Sequence, residues 1–105
     1  MIWNPPIALG WIDLTVSLAP EWDTAQVRRL ARHLGYRVVW PPDVDLIPLV
    51  DRVRATEADA VITPAPAHLD VLLLHAVMSA ADVETVEPRI SFARWSVLPG
   101  WGWSG

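Results

Sequence analysis

The spacing of apolar positions changes along the chain between two patterns, and this change predicts the fold class. Short runs nearly filled with apolar residues are typical of strands covered on both faces, and apolar residues three and four apart are typical of amphipathic helices. The sequence predicts strands at 7–16, 36–40, 60–63 and 83–86, with one more strand or an extended tail at 90–95. It predicts helices that run from Asp23 to Leu34, from 46 to 56 and from 68 to 81.

Local signals at the helix ends agree with this pattern. Asp23 and Gln26 have the spacing of a capping box at the start of the first helix. Gly35 follows that helix and suits the left-handed conformation that often ends a helix. Asp45 is the expected cap of the second helix, and Pro48 falls in its first turn, where a missing N–H does no harm.

The order of these elements, β-α-β-α-β-α-β, indicates a mostly parallel sheet with right-handed crossovers. We therefore expect a three-layer α/β fold with a four- or five-stranded sheet. The length of 105 residues fits a single domain over 1–105. Its last part, about 96–105, is rich in tryptophan and glycine and is expected to be irregular.

Composition narrows the class of protein. Apolar residues make up 52% and charged residues 19%, a balance that excludes a disordered chain. No run approaches the ~20 apolar residues of a membrane helix, and cysteine is absent, so disulfides and thiol chemistry are excluded. We expect a cytoplasmic protein without membrane contact. The net charge of −4 argues against a nucleic-acid surface, although all eight basic residues are arginines.

Polar residues near two predicted strand ends are candidates for chemistry. Thr15 and Ser17 offer hydroxyls after the first strand, and Asp13 lies within its apolar run. His68 and Asp70 follow the third strand, where ligands bind in open α/β sheets. His68 could act as a base for a hydroxyl. Ordinary loop polarity is the simpler explanation of the hydroxyls, and the helix dipole is a sufficient explanation for Asp70.

Other candidates concern binding. Arg28, Arg29 and Arg32 form a basic strip on the first helix that is either a solvated face or a contact for an acidic partner. Tryptophans near the end of the chain could cover its own core or anchor a partner, because tryptophan is enriched at binding hot spots; the candidates are Trp95, Trp101 and Trp103. No metal or nucleotide motif is present, so no cofactor is expected.

Several segments in order resemble the catalytic domain of the serine recombinases, the resolvase/invertase family, over residues 8–86. They are the first strand at 8–12, the helix at 26–36 that leads into Gly35 and Tyr36, the segments 47–53 and 58–62, and the segment 67–69. The resemblance implies a resolvase-like or flavodoxin-like sheet. It also implies a nucleophilic serine after the first strand and arginines that bind phosphate.

The functional residues of that family do not carry over. In one register Thr15 takes the place of the serine and Asp13 that of the arginine before it; in the other, Ser17 is the serine and Thr15 replaces the arginine. His68 and Val71 stand where two further arginines are expected.

Three hypotheses follow. The first is a non-catalytic resolvase-like domain that binds or regulates a protein partner or associates with itself. The second is a small enzyme that uses Ser17 or Thr15 with His68 and Asp13. The third is a structural subunit that docks through Trp95, Trp101 and Trp103.

Overall fold

A computed structural model describes residues 4–42 and 47–95, in which a five-stranded sheet is packed against three helices. The α/β class and the mostly parallel sheet are therefore confirmed. The elements follow one another as β1 (Ile7–Gly10), α1 (Pro20–Leu34), β2 (Arg37–Val39), α2 (Leu49–Ala55), β3 (Ala60–Thr63), a 3₁₀ turn (Pro66–His68), α3 (Val71–Met78), β4 (Asp82–Thr85) and β5 (Ser91–Phe92).

The strands lie in the order β2-β1-β3-β4-β5. The first four are parallel, and β5 joins β4 in the antiparallel direction. The chain leaves β1 for β2 on one side and returns across it to β3 on the other. Ligands of open α/β sheets bind where the strand order reverses in this way, at the carboxyl ends of the strands. We call this side of the molecule the carboxyl end of the sheet, and the opposite side the amino end.

Helices cover both faces of the sheet. Side chains alternate between the faces along a strand, so neighbours in β1 enter different cores. Ala8 packs with the buried face of α1, and Leu9 packs with α2 and α3. The α1 core contains Ala8, Val27, Leu30, Ala31, Ala60 and Ile62. The core under α2 and α3 includes Leu9, Val53, Val61, Val77 and Val83.

The first strand is shorter than its apolar run. It ends at Gly10 and not at position 16, because the chain then turns sharply: the amides of Val16 and Ser17 both donate to the carbonyl of Asp13, at 2.9 and 3.0 Å. The apolar residues that follow Ile12 therefore lie in a loop, and Leu14 is 71% exposed. The sequence predicts too long a strand because these loop residues are apolar although they are not buried.

The start of α1 also differs from the prediction. The helix begins at Pro20, whose missing N–H needs no partner in a first turn. Ala19 occupies the cap position, and Asp23 lies inside the first turn, so the capping box predicted for Asp23 and Gln26 is wrong. The expected helix end is confirmed, since Gly35 has a φ of 85° in the left-handed region.

The other two helices are shorter than predicted. α2 begins at Leu49, with Pro48 at its cap position, and the expected cap Asp45 lies outside the described residues. α3 spans Val71–Met78 rather than 68–81 because the 3₁₀ turn before it holds His68 in a different conformation. None of the helices in the described ranges is long and apolar enough to cross a membrane.

Candidate functional site

The segments that follow β1 and β3 are joined at the carboxyl end of the sheet. The amide of Trp11 donates to the carbonyl of Ile62 at 3.0 Å, which extends the pairing of the two strands by one bond. The Thr63 hydroxyl donates to the carbonyl of Trp11 at 2.8 Å, and the Trp11 indole N–H donates to the carbonyl of His68 at 3.1 Å. These bonds fix the path of the loop after β1 against the 3₁₀ turn.

His68 is a buried member of this junction, with only 5% of its surface exposed. Its Nδ1 accepts the backbone N–H of Asp13 at 2.9 Å. An imidazole nitrogen that accepts a hydrogen bond carries no proton, so the network assigns the neutral tautomer with the proton on Nε2. The imidazole therefore holds the loop after β1 in place.

Asp13 and Thr15 form a small closed unit in that loop. The Asp13 carboxylate accepts both the amide of Thr15, at 2.9 Å, and its hydroxyl, at 2.6 Å. The hydroxyl bond, followed by the amide bond, holds the pKa of the Asp13 carboxyl below its usual value of 3.8. Hydrogen bonds to the charged form of a carboxyl stabilise that form. Asp13 is consequently anionic at neutral pH.

Ser17 belongs to a different unit. Its hydroxyl donates to the Asp23 carboxylate at 2.5 Å and thereby ties the loop to the first turn of α1. The structure thus brings Asp13, Thr15 and His68 together and directs Ser17 to Asp23. Neither hydroxyl donates to His68 in the described part of the chain, and a nucleophile and its base need such contact.

Asp70 has a structural contact that the sequence suggested. Its carboxylate accepts the amide of Leu73 at 2.7 Å and caps α3. This bond satisfies one of the amides that a helix start leaves without a partner.

The three arginines of α1 are all exposed but have different surroundings. Arg28 lies with its guanidinium carbon 5.8 Å from the centre of the Trp40 ring and lines a cavity of about 480 Å³. Arg29 and Arg32 do not line it. The predicted basic strip is therefore divided, and Arg28 is the member that a ligand in the cavity would meet.

That cavity opens between the ends of β1 and β2. Its lining is mostly apolar and aromatic and includes Trp11, Trp40 and two prolines, together with Thr24 and Arg28 from α1. The Trp40 ring rests directly on Gly10, where an added Cβ would come within 2.6 Å of it. Only glycine at the end of β1 allows the indole to reach this position.

Of the three tryptophans that were candidates for covering the chain's own core or anchoring a partner, the structure describes Trp95. Trp95 is 53% exposed and packs edge-on against His75, with ring centres 4.0 Å apart. Its amide donates to the carbonyl of Met78, so this residue is attached to the chain's own α3. Trp101 and Trp103 lie outside the described residues.

Exposed apolar side chains concentrate at the carboxyl end of the sheet. Among the described residues, seven of the eight large hydrophobic residues that are exposed follow a parallel strand or lie at a helix start there. They are Leu14, Val16, Leu18, Trp22, Ile47, Val71 and Leu72. Only Trp95 lies at the amino end. We call these seven residues the apolar rim.

Sequence reasoning missed Trp40 as a cavity wall and the apolar rim as a surface. The signal for the former was weak: Gly10 lies inside the strand predicted at 7–16 and Trp40 ends the strand predicted at 36–40, and a glycine in a strand can mark a close approach by another group. No group of three or more histidines, aspartates and glutamates that could hold a metal ion occurs in the described ranges. Comparisons with models of protein families, with curated proteins and with solved structures found no match.

Proposed function

We propose that this chain is a non-catalytic α/β domain of resolvase-like fold whose apolar rim binds a segment of another protein. The occupant we infer combines apolar side chains with flanking arginine or lysine. The observation that carries the proposal is the concentration of exposed hydrophobic residues at one end of the sheet.

Single exposed hydrophobic residues are normal on protein surfaces, whereas their grouping on one side indicates an interaction surface. Leu18 is fully exposed, and Val71 and Leu72 are 78% and 83% exposed at the start of α3. Burying such side chains against a partner removes apolar area from water and stabilises the complex. The loop that carries Leu18 is held by the bonds around His68 and Asp13, so part of the rim is already ordered before a partner arrives.

The acidic residues next to the apolar rim indicate the charge of the segment that binds there. An acidic residue is adjacent in the chain to three members of the rim: Asp13 precedes Leu14, Glu21 precedes Trp22, and Asp70 precedes Val71. Complementary charges favour the encounter of partners, and like charges oppose it. A second copy of this chain, with a net charge of −4 and the same acidic residues, is therefore a poorer occupant than a basic segment.

The same contacts support the absence of recombinase chemistry. Phosphoryl transfer needs cations around the developing charge. Of the positions at which the resemblance places arginines, one holds the anionic Asp13 or Thr15, another holds the buried His68, and the third holds the exposed, apolar Val71. The enzyme hypothesis has less support because Ser17 is paired with Asp23 and Thr15 with Asp13.

The test is selection of a displayed library of random peptides on the wild-type protein. We expect the enriched peptides to combine leucine or aromatic residues with arginine or lysine. The double variant Leu18→Ser, Val71→Ser should weaken their binding about tenfold or more, because it removes two of the most exposed apolar side chains of the apolar rim. Trp95→Ser is the matched control, since it removes an exposed apolar side chain at the amino end, and it should leave binding unchanged.

Failure to enrich any peptide, or equal binding by the rim variant and the wild type, would overturn the proposal. Sedimentation equilibrium of the chain alone supplies the other decisive result. A dimer that Leu18→Ser disrupts would show that a second copy is the occupant, and the assignment of a basic segment would then be wrong.

A further inference from the structure

The cavity between the ends of β1 and β2 adjoins the apolar rim, since Leu14 and Ile47 line it, but Leu18 and Val71 do not. We propose that this cavity is a binding site for a small aromatic carboxylate: a flat ring between the tryptophan and proline walls, and a single carboxylate on the Arg28 guanidinium. The inference does not depend on the protein-binding role.

Size and lining fit a small ring compound. The volume of about 480 Å³ lies in the range usual for ligand pockets, which are mostly apolar with a few polar groups that fix orientation. Trp11, Trp40, Pro41 and Pro42 present flat surfaces to the cavity. Aromatic rings stack favourably against such surfaces.

One face of α1 supplies the polar groups. Thr24 and Arg28 are four residues apart, so they lie on the same side of the helix, and both line the cavity. Arg28 is exposed and forms no ion pair with any carboxylate in the described part of the chain. A guanidinium without a partner, placed beside aromatic walls, suits a planar carboxylate, which it binds through two parallel hydrogen bonds.

The surrounding charges favour a monoanion. Glu21 and Asp23 lie in the first turn of α1, one to two turns before Arg28. Arg28 is the only cationic residue that lines the cavity among the described residues. A phosphate monoester brings close to two negative charges, which the single guanidinium that lines the cavity would not balance. A carboxylate needs a single countercharge and is the better match.

The test is titration of the isotope-labelled chain with naphthoate, followed through the indole N–H resonances of its tryptophans. We expect saturable shifts of Trp11 and Trp40 and none of Trp95. Arg28→Gln should weaken naphthoate binding by about tenfold or more, because it removes a charge-assisted pair. Arg29→Gln is the matched control on the same helix and should bind naphthoate as the wild type does.

Three further compounds separate the parts of the proposal. Naphthalenemethanol lacks the charge, so its weaker binding should not change in Arg28→Gln. Cyclohexanecarboxylate lacks the aromatic ring and should bind more weakly than naphthoate. Naphthyl phosphate should also bind more weakly, and tighter binding of this compound would overturn the choice of a carboxylate.

The site itself would be disproved by the absence of saturable shifts, or by equal naphthoate affinity of Arg28→Gln and Arg29→Gln. Leu18→Ser, Val71→Ser should bind naphthoate normally. Loss of peptide binding in this rim variant with retention of naphthoate binding shows that the two proposals stand or fail separately.

Discussion

The two ends of the sheet differ in how many apolar side chains they leave exposed. At the amino end, Arg94 makes hydrogen bonds and ion pairs with Asp59 and Asp82, so that the segment after β5 is tied to the starts of β3 and β4. At the carboxyl end, Arg89 pairs with Glu84 at 2.7 Å, but seven large hydrophobic side chains are exposed and Arg28 lacks an ionic partner among the described residues. Arg94 ties segments of the chain together, whereas the exposed apolar side chains and Arg28 are the groups on which the two proposals of binding depend.

The largest expected effect contrasts a leucine buried in the sheet with a leucine exposed at the carboxyl end of the sheet. Leu9 is completely buried in β1, and Leu18 is fully exposed in the loop that follows. Leu9→Ala should lower the free energy of unfolding by about 2–5 kcal/mol through lost burial and a cavity. Leu18→Ala should change it by less than about 0.5 kcal/mol. Urea denaturation measures both, and a loss for Leu18→Ala close to that of Leu9→Ala would mean that the apolar rim is covered in solution.

The next largest loss of stability is expected at His68, which holds the loop after β1 through the amide of Asp13. His68→Ala leaves the amide of Asp13 without its acceptor, which should cost about 1–3 kcal/mol of folding free energy. His68→Asn places a side-chain oxygen near the former Nδ1 and should recover part of that loss. The comparison of the two variants by thermal and urea unfolding isolates the hydrogen bond. Equal stabilities would show that the bond contributes nothing and that the loop after β1 is held by other contacts.

A smaller effect is expected from matched arginines at the two ends. Arg94→Ala removes exposed ion pairs and a bond to the carbonyl of Asp59, and should cost at most about 1 kcal/mol, less at high salt. Arg28→Ala should cost less, because it removes only the contact with the Trp40 ring. Denaturation at low and high salt distinguishes them. A larger, salt-dependent loss for Arg28→Ala would mean that Arg28 also has a structural ion pair, as Arg89 has with Glu84, and would contradict the contrast with Arg94.

The smallest effect is a pH dependence at Asp13. Because Thr15 lowers the pKa of the folded carboxyl below 3.8, its contribution to stability is fully present above that pH. The contribution is lost as the pH falls through the lower value of the folded state. Thr15→Ala should raise the Asp13 pKa toward 3.8, and Thr15→Ser should preserve it. Titration of the carboxyl carbon by NMR measures this shift, and an unchanged pKa in Thr15→Ala would refute the role of the hydroxyl.

Prediction from the sequence worked best where the chain is buried on both sides. The strand expected at 60–63 has those bounds in the structure, because Val61 and Ile62 face different cores and both must be apolar. The left-handed Gly35 was also predictable, since the constraint is local. The end of β1 was not, because the apolar residues after Gly10 resemble a buried strand although they lie in an exposed loop.

In the candidate site, too, contacts between residues close in sequence were predictable, whereas contacts between distant residues were not. Asp70 was correctly placed at a helix start from its local pattern, and its bond to Leu73 spans only three residues. The partner of His68 is Asp13, 55 positions away, and no local pattern contains that contact. Ser17 was grouped with His68 as a possible nucleophile, yet the turn at Asp13 directs its hydroxyl to Asp23.

The sequence by itself determined the α/β class, the mostly parallel sheet and the burial of its central strands, because these follow from the spacing of apolar residues over short stretches. Only the tertiary structure decided which polar residues meet, that Trp40 lies on Gly10 beside Arg28, and that the surplus of apolar residues collects at one end of the sheet. Those features depend on where separate loops end in space. Packing of the two cores fixes that arrangement, which no single stretch of the chain specifies.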